Sequence, residues 1–468
     1  MTTHNPGQFV SRMPPVAQYW SESQHAVLKR TRMLDRYFTW LCIVLLGYAL
    51  GGRGFAYLGV NPLFVGEITL LVGVYIMIRS GVLGRVMRIR SFIPLMLFMI
   101  WGACCTIPYF DKYSKDAIRD AVLWGYGTYA FIIATLLIAD PTRVQKLVVN
   151  YKKFVIIFLV VGPFVSVLTS FFEASIPSWP GSGVPIIQVK GGDFCVHLAG
   201  AFSYIVALGR GLNPWIISFF MPLNLGLNVQ GRAGMVAFGS AAFIAMVLRP
   251  FHPRAMRIFF VIAVGLFFFW ATEIKISKGA REVSFEGLMK GIASIVVESD
   301  DANLDGTKEW RMNWWRDIIN YTFHGKYFWM GKGFGINLAT DDGYQVEADD
   351  SLRSPHNGHL CILARSGVPG FLIWIVVQSV FGFTIVRAYF LARKQRHMNW
   401  SGLFMFLGSY WGAFMANATF DVFLEGPMGG IWMYCIYGAG IGCAYIYRHC
   451  PDLLTPPPPP PARAPITA

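Results

Sequence analysis

The sequence predicts an all-α polytopic membrane protein of about twelve transmembrane helices carrying one large helical loop outside the bilayer. Three observations predict it. Hydrophobic residues fill 54% of the 468 positions and charged residues only 14%, against roughly 25% charged in a soluble domain. Apolar runs of about 17 to 25 residues, each long enough to cross a bilayer as a helix, recur along the chain. Short basic clusters follow every second run.

Residues 1–36 form an N-terminal segment. Its apolar run comes too late for a cleavable signal peptide, and no small-residue cleavage site follows, so the first span is expected to act as an uncleaved insertion signal. Spans are expected at 37–52, 63–79, 91–109, 121–139, 154–172, 193–209, 212–229, 233–249, 256–272, 367–387, 401–419 and 428–447. Residues 37–272 thus carry helices one to nine, and 367–447 carry helices ten to twelve. Basic residues precede the first span (Lys29, Arg30, Arg32, Arg36) and follow each even-numbered one, as with Arg85 and Arg88, Arg143 and Lys146, Arg210, Arg249 and Arg254, Arg393 and Lys394, and Arg448. The positive-inside rule then puts both termini in the cytoplasm and the stretch 273–366 on the far side. The tail, 448–468, holds six consecutive prolines at 456–461. A polyproline II rod is the physical expectation there, within an unstructured cytoplasmic terminus.

The net charge of +14 does not point to nucleic acid, because the basic residues lie in loops between apolar runs. Residues 273–360 hold 14 of the 26 acids and 10 of the 40 basic residues. An acidic outer loop thus sits on a basic inner frame. The eight cysteines show no CxxC and no Cys/His ligand spacing, and read as small apolar fillers.

A loop of more than 90 residues needs structure of its own. Residues 283–297 carry an apolar stripe suited to a helix on the membrane surface. Residues 309–323 read as a second helix, with Trp314, Ile318 and Tyr321 on one face and Arg311 with Trp315 on another. The following WMGKGFGINL places Gly331, Gly333 and Gly335 where tight turns or close approach are needed. It lacks the strand–turn–helix context of a nucleotide-binding loop. Asp341, Asp342, Glu347, Asp349 and Asp350 form an acidic stretch that reads as a solvated loop, with Mg²⁺ or Ca²⁺ binding as its alternative. Arg353, His356, Asn357 and His359 then sit just before a membrane helix, and Arg232 opens the eighth span on the same side.

Arg232, Arg311, Arg353, His356 and Asn357 therefore share one side of the membrane. Arginine suits phosphate because its fork stays charged and donates paired hydrogen bonds. A neutral histidine can take a proton from a hydroxyl near neutral pH. Together they suit chemistry on a membrane-held phosphate ester.

With these residues in place, the sequence resembles the bacterial O-antigen ligase and polymerase family. The resemblance rests on Arg232-Ala-Gly opening a late span, on Arg311 with Trp315 followed by Gly331-Lys-Gly-Phe-Gly335, and on His356-Asn-Gly-His-Leu360 followed by Gly367-Val-Pro-Gly370. It covers about 215 to 395. It implies a GT-C-like glycosyltransferase of the bacterial inner membrane, with 273–366 in the periplasm and no cofactor or metal. Such an enzyme takes a glycan from an undecaprenyl-diphosphate carrier and passes it to the lipid A core (a ligase) or to a growing glycan (a polymerase). It implies that His356 acts as base, helped by Asn357, and that Arg232 and Arg311 engage the diphosphate. Arg353 joins them by position. Trp315, Gly331, Gly333 and Gly335 shape the site. Arg365 departs from the family pattern. A transporter is the reading from another class, disfavoured because the notable polar residues cluster at the outer surface rather than at midmembrane.

Overall fold

The computed structural model describes residues 24–61, 63–228, 232–272, 276–278, 281–283 and 302–455. The expected surface helix at 283–297, the N-terminal 23 residues and the proline run lie outside the described residues, apart from Val283.

The chain is helical almost throughout. Its helices are α1 (Gln24–Ala56), α2 (Val65–Arg79), α3 (Leu83–Met87), α4 (Ile93–Thr106), α5 (Phe110–Tyr113), α6 (Lys115–Gly125), α7 (Thr128–Ala139), α8 (Arg143–Phe171), α9 (Gly191–Leu208), α10 (Pro214–Asn228), α11 (Arg232–Leu248), α12 (Pro253–Ala271), α13 (Ala302–Phe323), α14 (Leu338–Asp342), α15 (Gly358–Lys394), α16 (Met398–Ala418) and α17 (Pro427–His449). Two antiparallel ladders of two short strands, β1 (Gly59–Val60) with β2 (Leu63–Phe64) and β3 (Ile276–Lys278) with β4 (Arg281–Val283), are the strands among the described residues.

The protein is a polytopic helical membrane protein. Among the described residues every predicted span falls largely in helix, but only seven described helices are long and apolar enough to cross a bilayer, or eight with α6 and α7 as one bent span. The expected fourth span is broken at Tyr126–Gly127 and bent by 42°. The expected tenth span starts earlier, at Gly358, and α15 has a non-helical break at Gly367. Helices α2 and α10 have 15 residues each and α11 has 17. Helix α16 has 21 residues, rich in Gly, Ser, Asn and ring residues. It is surrounded by protein rather than lipid, so its composition follows packing.

The inner group is α9, α11 and α16, each packed on the other two; α15 joins α16 to α4, and α17 lies along α7. Small residues permit these approaches. A side chain at Gly234 of α11 would meet Cys195 and Gly192 of α9 at about 3.1 Å. Within the group, His197 and Tyr410 share a 2.6 Å hydrogen bond inside a ring of Phe158, Phe414, Phe423 and Trp432. At the far end of the bundle, buried Arg143 bonds Asp35 at 2.8 Å and the Leu136 carbonyl at 2.9 Å, pinning the ends of α1, α7 and α8 together.

Candidate functional site

The two faces of α13 do different work. Trp314 and Ile318, both fully buried, pack with Leu338, Cys361, Leu363 and Val368 into a small second core over the start of α15. Trp314 stacks on Tyr344 at 5.3 Å and donates to Asp342 at 2.6 Å. This core fixes α13, and so fixes what its other face presents. There Trp315 donates to the Pro355 carbonyl at 2.7 Å, holding the residue just before His356. Arg311 lies one turn earlier on that face.

His356 has a left-handed backbone, φ 52°, a conformation that costs a non-glycine residue free energy and persists where neighbours over-determine it. The neighbours are the Trp315 bond before it and the cap after it. Asn357 is the N-cap of α15, its oxygen accepting from the His359 and Leu360 amides at 3.0 Å each. Its role is thus to start the helix, as Asn commonly does, and to set where His356 points.

His356 Nδ1 stands 4.0 Å from Asp421 Oδ1, with side-chain exposures of 27% and 17%. Asp421 is fixed in turn. It accepts from the Val422 amide at 2.7 Å, its own amide donates to the Asn417 carbonyl at 3.0 Å, and Lys190 lies 3.9 Å away. Burial alone would raise the Asp421 carboxyl; His356 and Lys190 outweigh it and hold the group below the usual carboxylate range. His359 is committed elsewhere. Trp374 donates to its Nδ1 at 3.1 Å, which leaves Nε2 protonated toward the Met415 carbonyl at 3.2 Å.

Arg311 joins this group electrostatically. Burial lowers its pKa, Asp421 supports its charge and Arg232 opposes it. The Arg311 Nε is buried without a hydrogen-bond partner among the described residues. A guanidinium with a donor to spare, within electrostatic reach of a second one, suits an anion with several oxygens. Three helices also start here: α9 at Gly191, α11 at Arg232 and α15 at Gly358. Gly192 of α9 lies against Gly234, its carbonyl accepts from Asn417 at 3.5 Å, and Gly358 packs on Ala418 and Asp421. Helix N-termini carry unsatisfied N–H groups and partial positive charge, which favours anions.

Arg353 is not brought to this group. Its guanidinium bonds Asp120 of α6 at 3.1 Å and the Gly335 carbonyl at 2.9 Å, with Asp116 at 3.6 Å. Arg365, only 2% exposed, reaches the same Asp120 oxygen at 3.0 Å. One carboxylate therefore ties the loop before His356 to the top of α15. The departure at Arg365 is part of this brace.

The glycine loop packs tightly against its neighbours. Gly331, Gly333 and Gly335 all have positive φ. A side chain at Gly331 would strike the Ala364 carbonyl, one at Gly333 the Tyr109 ring, and one at Gly335 the Tyr113 Cβ, all within 2.6 Å. Backbone bonds from Lys332 to Ala364 (2.7 Å) and from Gly333 to Arg365 (3.0 Å) lash the loop to the break in α15. Lys332 is buried, pairs with Asp341 and Asp342, and lies over the rings of Tyr321 and Tyr327. Two acids of the acidic stretch are thereby engaged by a lysine.

Sequence reasoning missed Asp120, Lys190, Lys332 and Asp421. Asp421 left a trace: it is the first acid after Asp350, ending an acid-free run through 351–420. A lone carboxylate at the close of such a run needs a partner.

No curated protein matches the chain. A family model described as O-antigen ligase matches residues 217–375, a stretch that contains Arg232, Arg311, Trp315, the glycine loop, Arg353, His356 and Asn357. Over that stretch the chain is similar to the O-antigen ligase family.

Proposed function

We propose that this protein transfers a glycan from an undecaprenyl-diphosphate carrier to a hydroxyl acceptor at the periplasmic face of the bacterial inner membrane. A sugar of the lipid A core is one such acceptor. In this reading the fold is a GT-C-like bundle of twelve spans, both termini are cytoplasmic, and 273–366 is periplasmic. The observation that carries the reading is the meeting of Arg232, Arg311 and the His356–Asp421 pair among three helix N-termini.

Arg232 and Arg311 hold the diphosphate. His356, oriented through Nδ1 by Asp421, accepts the acceptor's hydroxyl proton on Nε2. The acceptor oxygen forms its bond to the anomeric carbon as the bond to the diphosphate oxygen breaks. The carrier leaves as undecaprenyl diphosphate with the electron pair, its charge held by the two arginines and the helix ends. Asp421 stabilises the imidazolium. Asn357, Trp315 and the Asp120 brace, with Arg353, keep His356 in place.

A polymerase that extends a growing glycan needs the same chemistry with a different acceptor. The glycan profile of a deletion strain separates the two. Loss of long-chain lipopolysaccharide with carrier-linked polymer retained supports the ligase. A carrier bearing only single repeat units supports the polymerase, and an unchanged profile rejects both.

A further inference from the structure

The ends of α9, α11 and α12 farthest from the candidate site carry a second cluster, about 25 Å away by the length of α11 at 1.5 Å per residue. Arg249 donates to the Val206 and Ala207 carbonyls at 3.3 and 2.9 Å, and Arg254 to the Ile205 carbonyl at 3.3 Å. Both are half-buried. Arg210 and Arg393 lie close enough to Arg249, and Arg210 and Arg257 to Arg254, to oppose their charges. Lys152 sits beside Gly211 in the same turn. His252, between the two half-buried arginines, has a buried Nδ1 without a hydrogen-bond partner among the described residues.

Among the described residues, no acid supports the charge of Arg249 or Arg254. Helices α8 to α12, α15 and α16, with their short connections at this end, contain Asp193 as their only acid, and it lies at the opposite end of α9. A flexible, exposed basic loop would be neutralised by mobile counterions. Arg249 and Arg254 are instead fixed by backbone carbonyls, each using one nitrogen and leaving the rest of a five-donor fork available. Trp215 and Phe251, 81% and 80% exposed, flank the cluster. Exposed rings of this kind sit at the boundary between acyl chain and headgroup, so the cluster lies at headgroup height.

We infer that this cluster binds the phosphate headgroup of an anionic phospholipid in the leaflet opposite the candidate site. The inference stands apart from the glycan-transfer reading. Free phosphate offers the same oxygens, but the flanking rings favour the lipid.

Purified protein in a neutral detergent is titrated with phosphatidylglycerol, phosphatidylcholine or inorganic phosphate while its melting temperature is followed. Phosphatidylglycerol is expected to raise it saturably, and the other two are not. The pair Arg249→Gln/Arg254→Gln should move the phosphatidylglycerol midpoint up about 25-fold, since one interfacial cation contributes roughly fivefold. Should that pair fail to fold, Lys152→Gln and Arg257→Gln should each give about a fivefold shift. Arg85→Gln/Arg88→Gln, exposed on and after α3, should change nothing. An equal loss in that control pair, an equal response to inorganic phosphate or phosphatidylcholine, or unshifted midpoints in the cluster variants would overturn the assignment.

Discussion

Replacing Asp421 with Asn keeps the size of the side chain and removes its charge. The Coulomb energy of a unit pair at 4 Å is about 1 kcal/mol in water and about 4 kcal/mol at the screening typical of a protein surface. His356 and Asp421 stand 4.0 Å apart and are 27% and 17% exposed, so an intermediate figure of about 2 kcal/mol applies to the imidazolium that forms during transfer. That corresponds to roughly a 30-fold fall in kcat. In the proposed mechanism arginines hold the carrier, so its KM should change little, although Arg311 also loses a supporting charge. Steady-state transfer of a fluorescent carrier-linked glycan, with kcat and KM resolved, is the assay. A fall in kcat under twofold by a folded Asp421→Asn protein would refute the orienting role. A rise in KM alone would instead place Asp421 in carrier binding through Arg311.

Asp120→Asn takes away the carboxylate in contact with buried Arg365, and loosens Arg353 with it. Removing one member of a buried ion network costs about 3–5 kcal/mol, so the melting temperature should fall sharply, and a fall no larger than that of an exposed substitution would contradict the brace. Burial pushes Glu425 up to about 7. A group raised above its unfolded value adds stability that is full below the ordinary range near 4.5 and is lost as pH rises through 7; melting temperature should therefore fall between pH 5 and 8, with a flatter profile in Glu425→Gln. In a cysteine-depleted protein, Gln345→Cys should be labelled by an impermeant reagent from the periplasmic side, and labelling only from the cytoplasm would invert the proposed topology.

The helical architecture was legible because a bilayer imposes length and hydropathy on anything that crosses it. What hydropathy could not supply was continuity. The bend at Tyr126–Gly127 sits inside an apolar run, the break at Gly367 falls at the expected start of another, and the first nine residues of α15 look like loop because its start packs under α13 rather than in lipid. Site residues were legible in proportion to how little they depend on distant partners. Arg311 and Trp315 share a face by helical spacing alone, and that face does meet the His356 segment. Arg353 was misplaced because its partner, Asp120, lies 233 residues away in sequence, on a helix that reads as membrane span. Asn357 was read as a helper in catalysis where its oxygen caps α15. The glycines of 331–335 were read rightly as close-approach positions, although what they approach is protein.

The central claim, transfer at a site built from Arg232, Arg311 and His356, is tested most directly in proteoliposomes given purified carrier-linked glycan and acceptor. Carrier binding and single-turnover transfer are measured separately for wild type, Arg232→Lys, Arg311→Lys, His356→Gln and His359→Ala. The account predicts weakened carrier binding in both lysine variants, because the charge stays while the paired donors are lost. It predicts that His356→Gln binds carrier normally and turns over at least about a hundred times more slowly, with His359→Ala only mildly slowed. Transfer at the wild-type rate by folded His356→Gln, or by both lysine variants, would contradict it.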